Sequence, residues 1–289
     1  MNTTYTFPKL ETKDFNKVLG VLDAQNTATY TLLLNQNRKE NTSEEIFRDK
    51  YAKIGTRANS GKQKEGSAPA EAEKASYEYV ENACEIFKKT ASASASAITV
   101  AKRNGNDIIK DELQYALLAI KADINKAFVS GTLSKTDPRA TAGLTTIVKA
   151  GNTITGELTK ENIEAAILKV KKQAKGQIYL AVSTADLPAV AEALLGNTVL
   201  NSPIGSDVVA GVAVTKYKSI YGPVVNLYCE DALETGKALV FDIASVKIKV
   251  LRDFFQKTNS KDFDGEMAEI ICEIGLSANP YAVAYIKSE

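Results

Sequence analysis

The 289-residue sequence contains no histidine. That absence removes the side chain that most often serves as a general base near neutral pH, the commonest zinc ligand, and every Ser-His or Cys-His nucleophile pair. Most hydrolase and metalloenzyme readings fall with it. Cysteine is nearly as scarce: Cys84, Cys229 and Cys272 stand far apart, odd in number and never as a CxxC pair. They are expected to be reduced thiols acting as small apolar residues, without a metal or redox role. No apolar run approaches the roughly 20 residues that span a bilayer, so no membrane partner is expected. Residues 1–10 lack the basic, apolar and small-residue order of a signal peptide, which points to a cytosolic chain. An excess of one charge is missing too. Lys and Arg number 36 against 35 for Asp and Glu, far from the balance of a chain that grips nucleic acid through a broad basic surface. Neither GxGxxG nor a GxxxxGKS/T loop occurs; Gly151 and Gly156 in AGNTITGE are expected to bracket a turn in which Asn152 takes positive φ. The carboxylate pairs Glu230 with Asp231 and Asp262 with Asp264 are explained by surface or turn positions. No catalytic residue, cofactor site or metal site is assigned.

What is present is enough for a folded protein. Hydrophobic residues make up 44% and charged residues 25%, so the chain can bury a core in one large domain or two smaller ones. Residues 1–75 are polar and interrupted, with one short helix expected around residues 14–22, where Phe15, Val18 and Leu22 fall at helical spacing. Residues 55–75 are a run of Gly, Ser, Ala, Lys and Glu that cannot order itself alone. Its flanks are different. Ile46, Phe47, Tyr51 and Ile54 precede it, and Tyr77, Tyr79, Val80, Ile86 and Phe87 follow, a strand-favouring set. A disordered linker is one reading; the other is a long hairpin whose tip gains order by lying on another molecule.

Residues 90–100 (TASASASAITV) alternate small side chains and read as a strand able to lie close to a neighbouring backbone. Residues 107–129 read as the strongest helix, with Leu113, Leu117, Ile120, Ile124 and Phe128 on one stripe and Gly131 as its stop. Residues 143–148 (GLTTIV) read as a short strand. Thr159 is expected to cap a helix running to Lys175, with Lys169, Lys171, Lys172 and Lys175 as a solvated face near its C-terminal end. Residues 177–183 read as a buried strand, Thr184 as the cap of a helix over 185–195, and residues 197–211 as a surface loop. Strands are expected at 212–217, 224–229, 238–243, 246–251, 267–276 and 281–286. The class is α+β.

The order of these parts resembles the tailed-bacteriophage major capsid fold, which encapsulins and the floor of the herpesvirus capsid share. Local stretches carry the resemblance over residues 75–286. NACEIFKKTASAS at 82–94, leading through Asp111-Glu112-Leu113 to Ile120-Lys121-Ala122-Asp123-Ile124, is similar to the family's run from hairpin into spine helix. YKSIYGPVVNLY at 217–228 resembles its strand-turn-strand return, and Leu251-Arg252 with EIICEIGLSAN at 269–279 its closing strands. The resemblance implies an N-terminal arm at 1–43, an extended loop hairpin at 44–90, a peripheral domain at 91–150 with spine helix 107–129, an axial domain at 151–225 and return strands of the peripheral domain at 226–289. It implies a non-enzymatic subunit that closes with copies of itself, as pentamers and hexamers, into a virion shell assembled in the host bacterial cytoplasm. Packaged DNA would be touched without sequence readout, and a portal and a separate scaffolding protein are the further partners, since only residues 1–43 precede the hairpin. Contacts between subunits are expected at Arg57, Lys62, Lys64, Glu65, Tyr77 and Tyr79. Some relatives join neighbouring hairpins by a Lys-to-Asn bond assisted by Glu; Lys62, Lys64, Glu65 and Asn59 are residue types abundant in any polar loop, and no crosslink is assigned. An encapsulin-like compartment or a phage tail protein is the alternative.

Overall fold

A computed structural model describes residues 27–53, 65, 76–105, 107–195, 206–209, 212–259 and 264–288. The expected helix at 14–22 lies outside them. In chain order come α1 (Ala28–Asn35), β1 (Lys39–Asn41), β2 (Ile46–Lys53), β3 (Ser76–Ala83), β4 (Glu85–Ser94), α2 (Ala95–Arg103) and α3 (Ile108–Ser130). There follow α4 (Leu144–Ile147), β5 (Thr153–Thr155), α5 (Lys160–Lys171), β6 (Ile178–Val182), α6 (Leu187–Leu195), β7 (Ser206–Val209) and β8 (Val212–Lys218). The chain closes with β9 (Val224–Cys229), β10 (Ala238–Asp242), β11 (Val246–Asn259), β12 (Gly265–Ala278) and β13 (Val283–Lys287).

Residue chemistry sets the ends of α3. The Asp107 carboxylate accepts the Lys110 N–H at 3.3 Å, Asp111 lies in the first turn near the positive end of the dipole, and Gly131 follows the last turn. At Gly131 a Cβ would sit 2.4 Å from the Ala127 carbonyl oxygen and 2.5 Å from that of Thr141, so glycine is what lets the returning chain pass there. Twenty-three residues at 1.5 Å each make a rod of about 35 Å. Ile120, Ile124 and Phe128 are fully buried, while Leu113 and Leu117 pack at the margin of the same cluster.

Three sheets form among the described residues: a four-stranded sheet in the order β1-β11-β12-β4, a seven-stranded sheet in the order β5-β13-β10-β6-β9-β8-β7, and the separate pair β2-β3. Strands β6 and β10 are buried at every position, as strands covered on both faces must be. On one face of the seven-stranded sheet, Ile163, Ile167 and Val170 of α5 and Val190 of α6 meet Leu180, Val182, Val225 and Val240. On the other, Tyr179 stacks on Phe241 at 5.9 Å and meets Tyr228 edge-on at 6.2 Å. That second core takes in Leu32 and Leu33 of α1, the buried stripe of α3, and Phe87, Ile248, Cys272 and Ile274 of the four-stranded sheet. One apolar cluster therefore joins both large sheets through α1 and α3. The last five strands are divided between them: β9, β10 and β13 pair in the seven-stranded sheet, β11 and β12 in the four-stranded one.

Several local expectations are corrected. The alternating stretch 90–100 is strand only to Ser94, whose hydroxyl accepts the Ala97 N–H at 3.3 Å and starts α2. Residues 144–147 are a helical turn instead of a strand; the Thr145 hydroxyl donates to the Val129 carbonyl in the last turn of α3, and that of Thr146 to the Gly131 carbonyl just past it. Helix α5 does begin at a Thr159 cap, which takes the Asn162 N–H at 3.4 Å, but it stops at Lys171. Helix α6 starts at Leu187, three residues past Thr184, whose hydroxyl donates to Asp231. Asn152 lies in a 3-10 turn and donates to the Tyr281 and Val283 carbonyls, while Asn37, at φ 53°, is the non-glycine residue with positive φ among those described. Part of the loop expected at 197–211 is strand β7.

Candidate functional site

Strands β2 and β3 pair antiparallel from Ile46 with Ala83 to Lys53 with Ser76. Directly opposed residues of such a pair share a face, and successive residues alternate, so this stem has two faces of different character. One face carries Phe47, Asp49, Tyr51, Glu78, Val80 and Asn82; Phe47 and Asn82 are buried and the others half-buried. The opposite face carries Ile46, Arg48, Lys50, Tyr77, Tyr79 and Glu81.

The inward face is bound to its own chain by polar contacts. The Ser277 hydroxyl donates to Asp49 at 2.6 Å. The Lys149 ammonium donates to both oxygens of Glu78 at 3.0 and 3.2 Å, and Tyr281 donates to the same carboxylate. Bonds to Tyr281 and Glu78 hold the Lys149 ammonium above the usual lysine range. At the base, Asn82 uses its whole amide: Nδ2 donates to the Leu276 carbonyl at 2.6 Å and the Ala142 carbonyl at 3.1 Å, and Oδ1 accepts the Ala142 and Ala83 N–H groups at 2.8 Å. Gly275 lets the base approach, since a Cβ there would stand 2.6 Å from the Ala83 carbonyl oxygen and 2.9 Å from Phe47. Buried Glu273 lies between Arg139 at 2.7 Å and Arg252 at 2.8 Å. The other guanidinium nitrogen of Arg139 is 2.6 Å from Glu45, close enough to pair by charge but not aligned for a hydrogen bond.

The outward face carries aromatic rings with cations beside them. Tyr77 and Tyr79 are each 52% exposed and Ile46 39%. The Lys50 ammonium sits 3.7 Å from the Tyr77 ring centre, and the Arg48 guanidinium 5.6 Å from that of Tyr79. Such exposed pairs are worth about 0.5–1 kcal/mol each and hold the rings upright. Glu81 is bonded by Lys135 and Arg48, which hold its carboxyl below the usual range; with two cations to one carboxylate, this group and Lys50 leave the face positive.

Of the residues singled out by sequence, Tyr77 and Tyr79 stand together on this face, and Glu65 is exposed. Arg57, Lys62 and Lys64, with Asn59, lie outside the described residues. Sequence reading missed Arg48 and Lys50, although the alternation in IFRDKY places both on one face of a strand. It also missed the own-chain clamps at Asp49 and Glu78, which depend on partners more than 70 residues away. The carboxylates Glu230 and Asp231 are not a pair: Glu230 is wholly buried, while Asp231 is exposed and accepts from Thr184. Asp264 is exposed, and Asp262 lies outside the described residues. No group of three or more His, Cys, Asp or Glu side chains that could hold a metal occurs among the described residues.

A family model described as SU10 major capsid protein matches residues 1–288. No curated protein sequence matches the chain. Solved structures of similar fold include the holo-SrpI encapsulin complex from Synechococcus elongatus PCC 7942, with a TM-score of 0.68 and 13% identity over 95% of this chain and 91% of that one. The capsid of a native GTA particle has a TM-score of 0.68 at 12% identity over 99% and 96% of the two chains. The cyanophage A-1(L) capsid has a TM-score of 0.62 at 12% identity over 98% and 97%. At such identities the likeness speaks for the fold.

Proposed function

The chain belongs to the SU10 major capsid protein family and is a structural, shell-forming subunit of a virion capsid, and from that premise we propose how its parts close the shell. The β2-β3 stem and the residues 54–75 that it carries act as the extended loop, lying across a neighbouring copy. Helix α3 is the spine of a peripheral domain built on the four-stranded sheet. The part holding α5, α6 and β6 to β8 is the axial domain, pointing toward the fivefold or sixfold axis. Heterologous contacts that rotate by a closing angle make rings, and rings of five and six close a shell. Many modest interfaces then sum to a stable container while each can still open and correct errors.

The observation that carries this reading is the outward face of the stem. Its inward face is already bound to its own chain, so the exposed Tyr77 and Tyr79, propped by Lys50 and Arg48, face a neighbour. Large rigid aromatics of this kind dominate interface energies, each contributing about 2 kcal/mol when buried as a central anchor. Arg57, Lys62, Lys64 and Glu65 extend the same contact. With Lys and Arg balanced against Asp and Glu, packaged DNA is met without sequence readout. A separate scaffolding protein and a portal complete the assembly, which takes place in the host bacterial cytoplasm.

The double variant Tyr77→Ala/Tyr79→Ala tests the reading. Its circular dichroism and melting profile should match the wild type, because both rings lie outside the core, while sedimentation should show unassembled subunits under conditions where the wild type forms particles. Particles at wild-type yield from the variant would remove the stem from the interface.

A further inference from the structure

Glu230 is a fully buried carboxylate with no role in the hairpin contact described above. Its surroundings form a polar knot inside an apolar core. Oε2 accepts the Thr29 N–H at 2.9 Å and the Thr29 hydroxyl at 2.5 Å; Oε1 accepts Asn125 Nδ2 at 2.6 Å and the Ala232 N–H at 3.2 Å. Asn125 turns its own oxygen to the Tyr30 N–H at 2.9 Å. The Thr29 hydroxyl is also 2.8 Å from that of Tyr228. Burial pushes the Glu230 carboxyl above its usual range, and bonds from Thr29, Asn125 and Ala232 pull the other way.

These contacts fall on a place where a helix needs help. The first four N–H groups of any helix have no partner within it, and α1 begins at Ala28. Its own N-cap residue, Thr27, makes no side-chain capping bond. The N–H groups of Thr29 and Tyr30 are taken instead by Glu230 at the end of β9 and Asn125 on α3, 201 and 95 residues away in sequence. A carboxylate at a helix N-terminus is also where the dipole favours negative charge. At eight residues, α1 is well short of the roughly 12–15 at which an isolated helix becomes even marginally stable in water. Its folding and its docking are therefore one event, held by Tyr30, Leu32 and Leu33 in the core and by the polar knot at its start.

We propose that Glu230 and Asn125, bonded directly to each other across the end of β9 and α3, form a latch that caps α1 from other elements, so that α1 docks or departs as a single unit. Because α1 lies between the two large sheets, the latch sets whether the sheets are braced against each other at this corner. Its use in adapting one chain to rings of five and six copies rests on the shell reading above; the docking itself does not.

Hydrogen exchange followed by mass spectrometry on the unassembled full-length chain tests the latch apart from any assembly. Thr29→Val keeps the shape of a fully buried side chain but removes the hydroxyl that Glu230 and Tyr228 share. Exchange in peptides covering 28–35 should rise about tenfold or more, as expected when a buried acceptor loses a donor. Peptides covering β10 and β12 should keep wild-type protection. Glu230→Gln should give the same pattern more strongly, because an amide NH₂ then faces donors. Should Glu230→Gln fail to fold, Thr29→Val decides alone. Unchanged exchange in 28–35, or equal acceleration in 28–35 and in β10, would overturn the proposal.

Discussion

Buried polar side chains in this protein join elements that lie far apart in sequence. Glu164 of α5 accepts the hydroxyls of Tyr217 and Ser219 and the Ile220 N–H at 3.2 Å, fixing the β8-β9 turn to the helix beneath it. Asn82 does the same for the hairpin base and Glu230 for α1, and each is saturated with partners, as groups buried in low dielectric must be. The cysteines behave differently, as small apolar residues. Burial pushes the Cys84 thiol up to about 11 and that of Cys272 to about 12, and neither is exposed. At pH 8 both are almost wholly protonated, and the thiolate is the reactive form. Cys229 is half-buried, with its thiol also raised by burial. Iodoacetamide at pH 8 should therefore modify the native chain at Cys229 alone if at all, and at all three positions after guanidinium denaturation, counted by intact mass. Rapid labelling of Cys84 or Cys272 in the native protein would contradict the packing described here.

Among the elements, α3 was legible in the sequence because the apolar stripe and the Gly131 stop agree, while the role of Asp107 as a cap instead of the first helical residue emerged from the structure. Strand β9 was legible with its bounds, and the preceding Gly222-Pro223 marks its start. The two strands of the hairpin were legible from their aromatic and β-branched flanks, although Ile86 and Phe87, read with the second flank, fall on β4 of the four-stranded sheet, and the tie of the hairpin to the body was not legible. Asp49 and Glu78 look like surface charges until Ser277, Lys149 and Tyr281 are folded against them. The misread segments have hydroxyl residues in common. At Ser94 the hydroxyl accepts the N–H three residues on and caps α2, and at Thr145, Thr146 and Thr184 hydroxyls bond to backbone or carboxylate groups that the tertiary structure brings near. The hairpin base offers its own test. Gly275→Val should force the Ala83 backbone and Phe47 away and destabilise the chain by about 1–3 kcal/mol. A lower urea midpoint with faster proteolysis within β2 and β3 is the expected outcome, while an unchanged midpoint would mean that the base does not approach β12 as closely as described.

At the scale of the whole molecule, two large sheets share one apolar core through α1 and α3, and a third, two-stranded sheet stands apart with one face bound and one free. That division leaves the exposed Tyr77 and Tyr79 on the free face. The family assignment makes it a shell protein; the proposal puts the exposed face of the stem at the contact between copies. Electron cryomicroscopy of particles assembled from the purified chain tests that assignment most directly. The account predicts closed shells in which Tyr77 and Tyr79 are buried against an adjacent copy, with Lys50 and Arg48 still beside their rings. Closed shells in which both tyrosines remain open to solvent on every copy would contradict it.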